Sequence, residues 1–229
     1  MGQSVAAFVR HGDYRQLPGT PSAHQPFGLT QEGCDQVRNG ARELLDTAVK
    51  HEWRIVPVID SSRMLRAWQT AEIYARACAA ETIESFNALA ERGLGCAANL
   101  SVAQIEDILR EDPRFDTPPS NWKADSDYRL PLQGAESLRE AGHRVAGHVE
   151  GRMAELVDAS DGGTVKLFIG HGAAFRHAAF HLGVLELERI ARLSMYHGRA
   201  VYLARDMDGR WSHLDGEWKE RPANRDAMD

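Results

Sequence analysis

The run Ser4-Val-Ala-Ala-Phe-Val-Arg-His-Gly12 decides the fold. Five consecutive apolar residues, Val5 to Val9, stop abruptly at a charged pair and a glycine. A strand that is apolar on both faces belongs in the middle of a covered sheet, with its polar end at the sheet's edge. A second run, Val165-Lys-Leu-Phe-Ile169, closes in Gly170-His171-Gly172, so a His-Gly pair recurs 160 residues after the first. One Arg-His at a strand end is an ordinary solvated terminus. Its recurrence makes the two ends a candidate site.

Working outward, Ile55 to Ile59 reads as a third strand, closed by Asp60-Ser61-Ser62, and Arg199 to Leu203 as a fourth. Helices are expected over Gln31 to Lys50 behind the N-cap Thr30, from about Arg63 to Ala80 with Ser61 and Ser62 as candidate caps, and over Val102 to Arg110. Two more are expected over Glu136 to Ala159 and from about Ala173 to Gly183. The Pro-, Gly- and Ser-rich stretch from Asp13 to Gly28 reads as a loop. Residues 87–132, with prolines at 113, 118 and 119, read as a helical excursion or cap, and the polar tail from Glu217 as frayed. Strands alternating with long helices predict a three-layer α/β/α sandwich with a mostly parallel central sheet, one domain over residues 1–229. In such sheets ligands collect at the carboxyl ends of the strands, where Arg10-His11-Gly12, Asp60-Ser61-Ser62 and Gly170-His171-Gly172 all fall.

The chain carries 27 Lys plus Arg against 33 Asp plus Glu, a formal charge of −6, with 43% hydrophobic residues. That balance excludes a collagen, a coiled coil and a long disordered chain. An acidic chain is a poor partner for the nucleic-acid backbone, so broad nucleic-acid binding is not expected. No apolar run approaches the ~20 residues of a spanning helix, so no membrane partner is expected either. Cys34, Cys78 and Cys96 match neither a disulfide framework nor a zinc pattern, and the N-terminus has no signal core, which makes the cytoplasm the expected compartment. Oligomeric state has no signature in the sequence.

Between the two His-Gly pairs, Ser61-Ser62-Arg63-Met64-Leu65-Arg66-Ala67-Trp68-Gln69-Thr70-Ala71 opens a helix with an arginine one turn in. Leu89-Ala90-Glu91-Arg92-Gly93-Leu94-Gly95 then sets an acid in the excursion. With these elements in order, joined by Leu29-Thr30 with Gly33, by Pro131 through Glu136-Ser137, and by Arg176, the sequence resembles the histidine phosphatase superfamily, in its phosphoglycerate mutase-like branch. The resemblance spans about residues 5 to 205. It implies catalysis by His11, Glu91 and His171, and phosphate binding by Arg10, Arg66 and Gly172.

Elementary chemistry agrees with those roles. A transferring phosphoryl group spreads its charge over equatorial oxygens and asks for convergent donors. Arg10 and Arg66 each offer a planar fork of N–H groups, and the Gly172 N–H allows close approach. His171 would add a charge-assisted donor when protonated. His11 attacks through a neutral ring nitrogen, a state that neighbouring arginines favour by lowering its pKa. Glu91 can protonate a departing alkoxide and later take a proton from water. Read alone, it is a solvated loop acid. His24, Ser62 and Arg92 are candidate substrate or supporting residues, although His24 also reads as an exposed loop residue and Ser62 as a helix cap. His177 and His181 have a metal-ligand spacing but no intervening His-Glu-x-x-His acid, so a helix-face pair is expected and no metal or other cofactor. Trp53, Trp211 and Trp218 are expected to pack.

The sequence departs from the family pattern where a phosphate-contacting Asn is often found: Leu17 stands there, and Ala173 follows the second His-Gly. The paired basic residues with which mutases grip a carboxylate are reduced to Lys123 and Arg129. The expectation is therefore a metal-independent phosphatase acting on a small phosphorylated metabolite through a phosphohistidine. A phosphoglycerate mutase is the alternative, and a phosphate-binding scaffold without chemistry is a third reading.

Overall fold

A computed structural model describes residues 4–21, 24–156 and 163–221. Its pivot is β1 (Ser4–Arg10), which pairs in parallel with β5 (Thr164–Gly170) and antiparallel with β7 (Ala200–Arg205). Beyond β5 lie β3 (Val58–Ser62) and β4 (Thr82–Phe86), with β2 (Arg54–Ile55) also on β5; beyond β7 lies β8 (Trp211–Asp215). Side chains alternate across a strand, and β1 shows it. Val5, Ala7 and Val9 enter one core with α1 (Gln31–Lys50) and α2 (Leu65–Cys78). Ala6 and Phe8 enter another with α4 (Leu138–Ala154) and α5 (Gly172–His181), where Phe8 stacks on Phe175 at 4.6 Å. Two cores on two faces make the three layers. Between α2 and α4, the segment holding α3 (Val102–Glu111) builds a small cluster of its own around Trp122, Leu94, Ile105 and Leu109.

The register sets Arg10 opposite Gly170, and His11 N–H donates to the Gly170 carbonyl at 3.0 Å. His11-Gly12 and His171-Gly172 therefore leave the sheet side by side.

The sheet is mixed and mostly parallel, with the antiparallel pairs confined to the β1–β7–β8 side. The expected strand from Ile55 to Ile59 is instead two strands, because Pro57 has no N–H to offer the ladder. Four residues, Val56 to Ile59, here face the interval that Lys166 and Leu167 span on β5. The Lys166 ammonium fills the gap, donating to the Val58 carbonyl at 3.1 Å. Ser61 and Ser62 lie within β3, and α2 starts at Leu65 with no side-chain cap, so neither serine caps that helix as expected. The expected helix from Glu136 begins at Leu138, behind a Ser137–Glu140 capping box, and stops at Ala154; positions 157–159 of its expected span lie outside the described residues. The tail expected to fray from Glu217 forms β9 (Trp218–Glu220), paired with β6 (Leu193–Met195); residues 222–229 lie outside the described residues. Among the described residues no helix is long and apolar enough to cross a membrane.

Beneath the site, Asp60 is fully buried, 2.6 Å from Lys166 Nζ and 2.8 Å from both His148 Nε2 and Arg152 Nε. Burial alone would raise the Asp60 pKa, but hydrogen bonds from His148, Arg152 and Lys166 outweigh it and hold the carboxyl below its ordinary value. A depressed acid stabilises the fold above its unfolded pKa, and that stability is lost as pH falls through the folded value. Asp60→Ala strands a buried ammonium and should cost about 3–5 kcal/mol in urea unfolding, with a flatter acid limb than the parent. A loss under about 1 kcal/mol would show that the cluster contributes little.

Candidate active site

The segment from Ser61 to Ala71 assembles the site, with tasks for Ser62, Arg66, Gln69 and Thr70. Arg66 is fully buried and directs its guanidinium three ways: Nε donates to His11 Nε2 at 3.1 Å, Nη1 to the Gln25 carbonyl at 2.9 Å, and Nη2 to His171 Nδ1 at 3.2 Å. Thr70 Oγ1 accepts from Gly12 N–H at 3.2 Å, and Gln69 Oε1 accepts from Leu29 N–H at 2.8 Å. Ser62 Oγ lies 2.9 Å from His171 Nε2 and also accepts from the Met64 N–H at 3.4 Å, so it joins the site to the residue just ahead of α2. Ala67 and Ala71 are buried in the α1–α2 core. Gly33 explains itself by contact: a Cβ there would lie 1.9 Å from the Asp13 carbonyl, so the first turn of α1 can rest on the chain leaving His11.

These contacts fix the ring states. A guanidinium only donates, so His11 Nε2 and His171 Nδ1 are both acceptors. The other nitrogens follow: His11 Nδ1–H donates to the Gly12 carbonyl at 2.8 Å, and His171 Nε2–H to Ser62 Oγ. Burial first, and the Arg66 charge second, hold both histidines well below the ordinary imidazole pKa. His11 is thus neutral, as expected, with burial a larger cause than the arginines. His171 is neutral too, so in this state it is not the charged donor that the sequence suggested. Arg10 runs beside Gly172, whose Cβ would meet the Arg10 Cδ at 3.1 Å, and its Nη1 donates to the Met195 carbonyl at 3.1 Å.

Glu91 reaches this group from the excursion and is almost fully buried, unlike a solvated loop acid. Its Oε1 accepts from the N–H groups of Arg92 (2.9 Å) and Ala174 (3.1 Å), and Oε2 from Ala173 (3.3 Å), which seats the carboxylate on the N-terminus of α5. The Arg92 guanidinium lies 5.8 Å over the Trp122 ring. His24 is exposed at the rim, with its pKa lowered by partial burial and by Arg66. Leu17 is exposed, and its N–H donates to the Gln25 side chain at 2.8 Å. His177 Nδ1–H donates to the Ala173 carbonyl and its Nε2 accepts from Ser126, while His181 Nε2 donates to the Arg139 carbonyl, so this pair is tied into the protein.

The family model of the histidine phosphatase superfamily (branch 1) matches residues 6–215. The chain belongs to that superfamily. No curated protein matches it by sequence. A mycobacterial glucosyl-3-phosphoglycerate phosphatase is 19% identical with a TM-score of 0.67, over 95% of this chain and 98% of that one. It has also been solved with inorganic phosphate and with VO3. A phosphoglycerate mutase from Bacillus anthracis (17% identity, TM-score 0.69) covers 94% of this chain and 93% of its own. An alpha-ribazole phosphatase from Shigella flexneri (16%, 0.69) covers 92% and 94%. At such identities the likeness establishes the shared fold.

Within this superfamily fold, several groups at the site escaped sequence reasoning. Tyr14 sets its ring edge-on to His11 and under Arg66, 4.4 Å from the guanidinium carbon. His197 donates Nδ1–H to the His11 carbonyl at 2.8 Å, and burial with the Arg10 charge brings its pKa down to about 4. Arg144 and Glu136 form a two-bonded pair, and the same guanidinium caps the Ala88 and Ala90 carbonyls, which steadies the segment ahead of Glu91. The Glu136-Ser137 pair was visible as part of a family pattern, but its arginine partner carried no signal.

An oxyanion seated against His171 would favour its protonated form, so binding should take up a proton and weaken as pH rises. Sulfate keeps both charges across the range, which isolates the protein's contribution. Calorimetric affinity for sulfate should fall by up to about tenfold per pH unit as pH rises above the depressed pKa of free His171, and His171→Gln should flatten the slope. A pH-independent affinity in the parent protein would contradict the assignment.

Proposed function

We propose that the protein hydrolyses phosphate monoesters of small alcohols in two steps, through a phosphohistidine on His11. The observation that carries this reading is the fixed state of one ring: with Nδ1–H committed to the Gly12 carbonyl, the lone pair lies on His11 Nε2, where it accepts from Arg66 Nε–H until an incoming phosphoryl group draws that donor away. In the first step Nε2 forms a bond to phosphorus, the bond from phosphorus to the ester oxygen breaks, and Glu91 gives its proton to the departing alkoxide. In the second, water attacks the phosphohistidine and loses a proton to Glu91. The N–P bond breaks and inorganic phosphate leaves. Arg10, Arg66 and the Gly172 N–H hold the equatorial oxygens, joined by His171 once the anion has raised its pKa.

Two guanidinium groups supply the positive charge that phosphoryl transfer needs, so this mechanism uses neither metal nor organic cofactor. Among the described residues no group of three or more His, Cys, Asp or Glu side chains is placed to hold a metal ion. Hydrolysis is favoured over mutase chemistry because a mutase must also grip a second anionic group. Arg129 is instead spent on the exposed Glu140, 3.3 Å away, and neither it nor Lys123 lines the cavity beside Glu91.

An aryl phosphate assay tests the reading. Turnover should persist in chelator, and His11→Ala should abolish both turnover and acid-labile phosphate labelling of the protein. Glu91→Gln should cost about 10²–10⁴-fold on an alkyl phosphate but far less on p-nitrophenyl phosphate, whose leaving group needs no proton. Loss of turnover in chelator, or equal losses on the two esters, would overturn the corresponding role.

A further inference from the structure

Beside the phosphoryl-binding groups lies a cavity of about 340 Å³, and Glu91 belongs to both. Since Glu91 is the group placed to protonate the departing oxygen, this cavity is where the alcohol half of the ester must sit. Its floor carries almost no side chains: Ala90, Gly93, Gly95, Ala98 and Gly134 line it. Leu94 and Ala135, next to these glycines, form an isolated β-bridge. Gly95 has φ +59°, and a Cβ on it would lie 2.1 Å from the Gln133 carbonyl oxygen. The two segments therefore pack backbone against backbone, and the lining they give the cavity is nearly free of side chains.

The polar rim has a definite charge. Glu136 and Arg144 line it, and both carboxylate oxygens of Glu136 are held by Arg144, at 2.9 and 2.8 Å. Arg144 Nη1 is shared among the carbonyls of Asn87, Ala88 and Ala90, at 3.3, 2.8 and 3.1 Å, and Nη2 also reaches the Glu91 carbonyl at 3.5 Å. Every N–H of that guanidinium is therefore committed within the protein, and the cavity's one arginine has none left for a ligand anion. When Glu91 carries its proton the rim is neutral, and when Glu91 is ionised the rim bears one net negative charge. What remains to bind a ligand is neutral or anionic: the Asn87 amide, the His24 ring and the remaining lone pair of Glu136 Oε1, since Oε2 already accepts from Arg144 and from the Gly93 N–H at 3.0 Å.

Resting on the phosphatase reading, we propose that the leaving alcohol is an uncharged polyhydroxyl group, and that esters bearing a second anion on the alcohol are discriminated against. Hydroxyls donate to Glu136 and exchange hydrogen bonds with Asn87, whereas a carboxylate or second phosphate meets two acids and no uncommitted cation, with only the neutral Asn87 amide and His24 ring to set against them.

Two esters with one carbon skeleton isolate the point, because sn-glycerol 3-phosphate and 3-phosphoglycerate differ in a hydroxymethyl against a carboxylate. The purified protein, its fold checked by circular dichroism, is first assayed on p-nitrophenyl phosphate. It is then assayed on each three-carbon ester, with inhibition constants against the aryl substrate deciding where turnover is too slow to read. Glycerol phosphate should be favoured by at least about tenfold in kcat/KM or in inhibition constant. Glu136→Gln, which removes a negative charge and leaves Arg144 unneutralised, should narrow that ratio. Asn87→Asp, at an exposed position, should widen it while the fold is kept. Equal or better use of 3-phosphoglycerate by a protein active on the aryl ester would overturn the substrate assignment alone. A folded protein inert on the aryl ester would overturn the phosphatase reading, and this assignment with it.

Discussion

A buried guanidinium holds this site together. Arg66 has no exposure to water, and a cation in that position is tolerable only when it is paired with nearby acceptors. Among its partners are His11 after β1, Gln25 in the long loop, and His171 after β5, three separate segments. None is close to another in sequence, so the cation can be satisfied only once the parallel β1–β5 pair has formed and the loop has closed over it. Folding and assembly of the site become one event. The same charge then acts on its neighbours, helping burial to keep both histidines neutral.

That dependence explains why so short a segment carries so much of the pattern. From Ser62 to Ala71, polar side chains face the strand ends and the loop while Ala67 and Ala71 enter the core shared with α1, so about two helical turns and the end of the strand before them reach His11, Gly12, Gln25, Leu29 and His171. Substitution within it moves the chain ends that carry His11 and His171. Thr70 makes the linkage concrete: its hydroxyl donates to the Arg66 carbonyl while accepting from Gly12 N–H, so α2 and the chain leaving β1 share one oxygen.

The central layers were legible because β1 and β5 are apolar on both faces, a pattern that only a covered sheet satisfies. The α1 limits, Gln31 to Lys50, could be read from the Thr30 cap and the amphipathic repeat. Edge elements could not. In β4, Thr82-Ile-Glu-Ser-Phe is partly or fully exposed along its length, and β9 is three residues of a polar tail held by β6. Such strands exist because a neighbour offers a ladder, and that is not written in their own residues. The site divides in the same way. His11, Arg66, Glu91 and His171 stand in patterns long enough to read, and the fold brings them together. His197, Tyr14 and Arg144 act through a backbone carbonyl, a ring edge and a run of carbonyls, partners with no residue identity for a sequence to display. The buried Asp60–Lys166 pair was hidden for a related reason: Lys166 interrupts an apolar run as an apparent defect until the ladder gap at Pro57 supplies its acceptor.

The net charge of −6 first argued against anionic partners, and that holds only for long polyanions that sample the whole surface. Within a few ångströms the sign changes twice. The chain as a whole is acidic; the end of the site with Arg10, Arg66 and only neutral histidines beside them is positive. Across Glu91 the cavity returns to neutral or negative. On the proposed reading such a gradient would orient a monoester, because its dianionic end is drawn one way while its uncharged end has no reason to follow. In the proposed mechanism Glu91 is the single acid at that boundary: it sits on the N-terminus of α5 next to Gly172 on one side and lines the cavity on the other, so one carboxyl is within reach of both the departing alcohol and the incoming water.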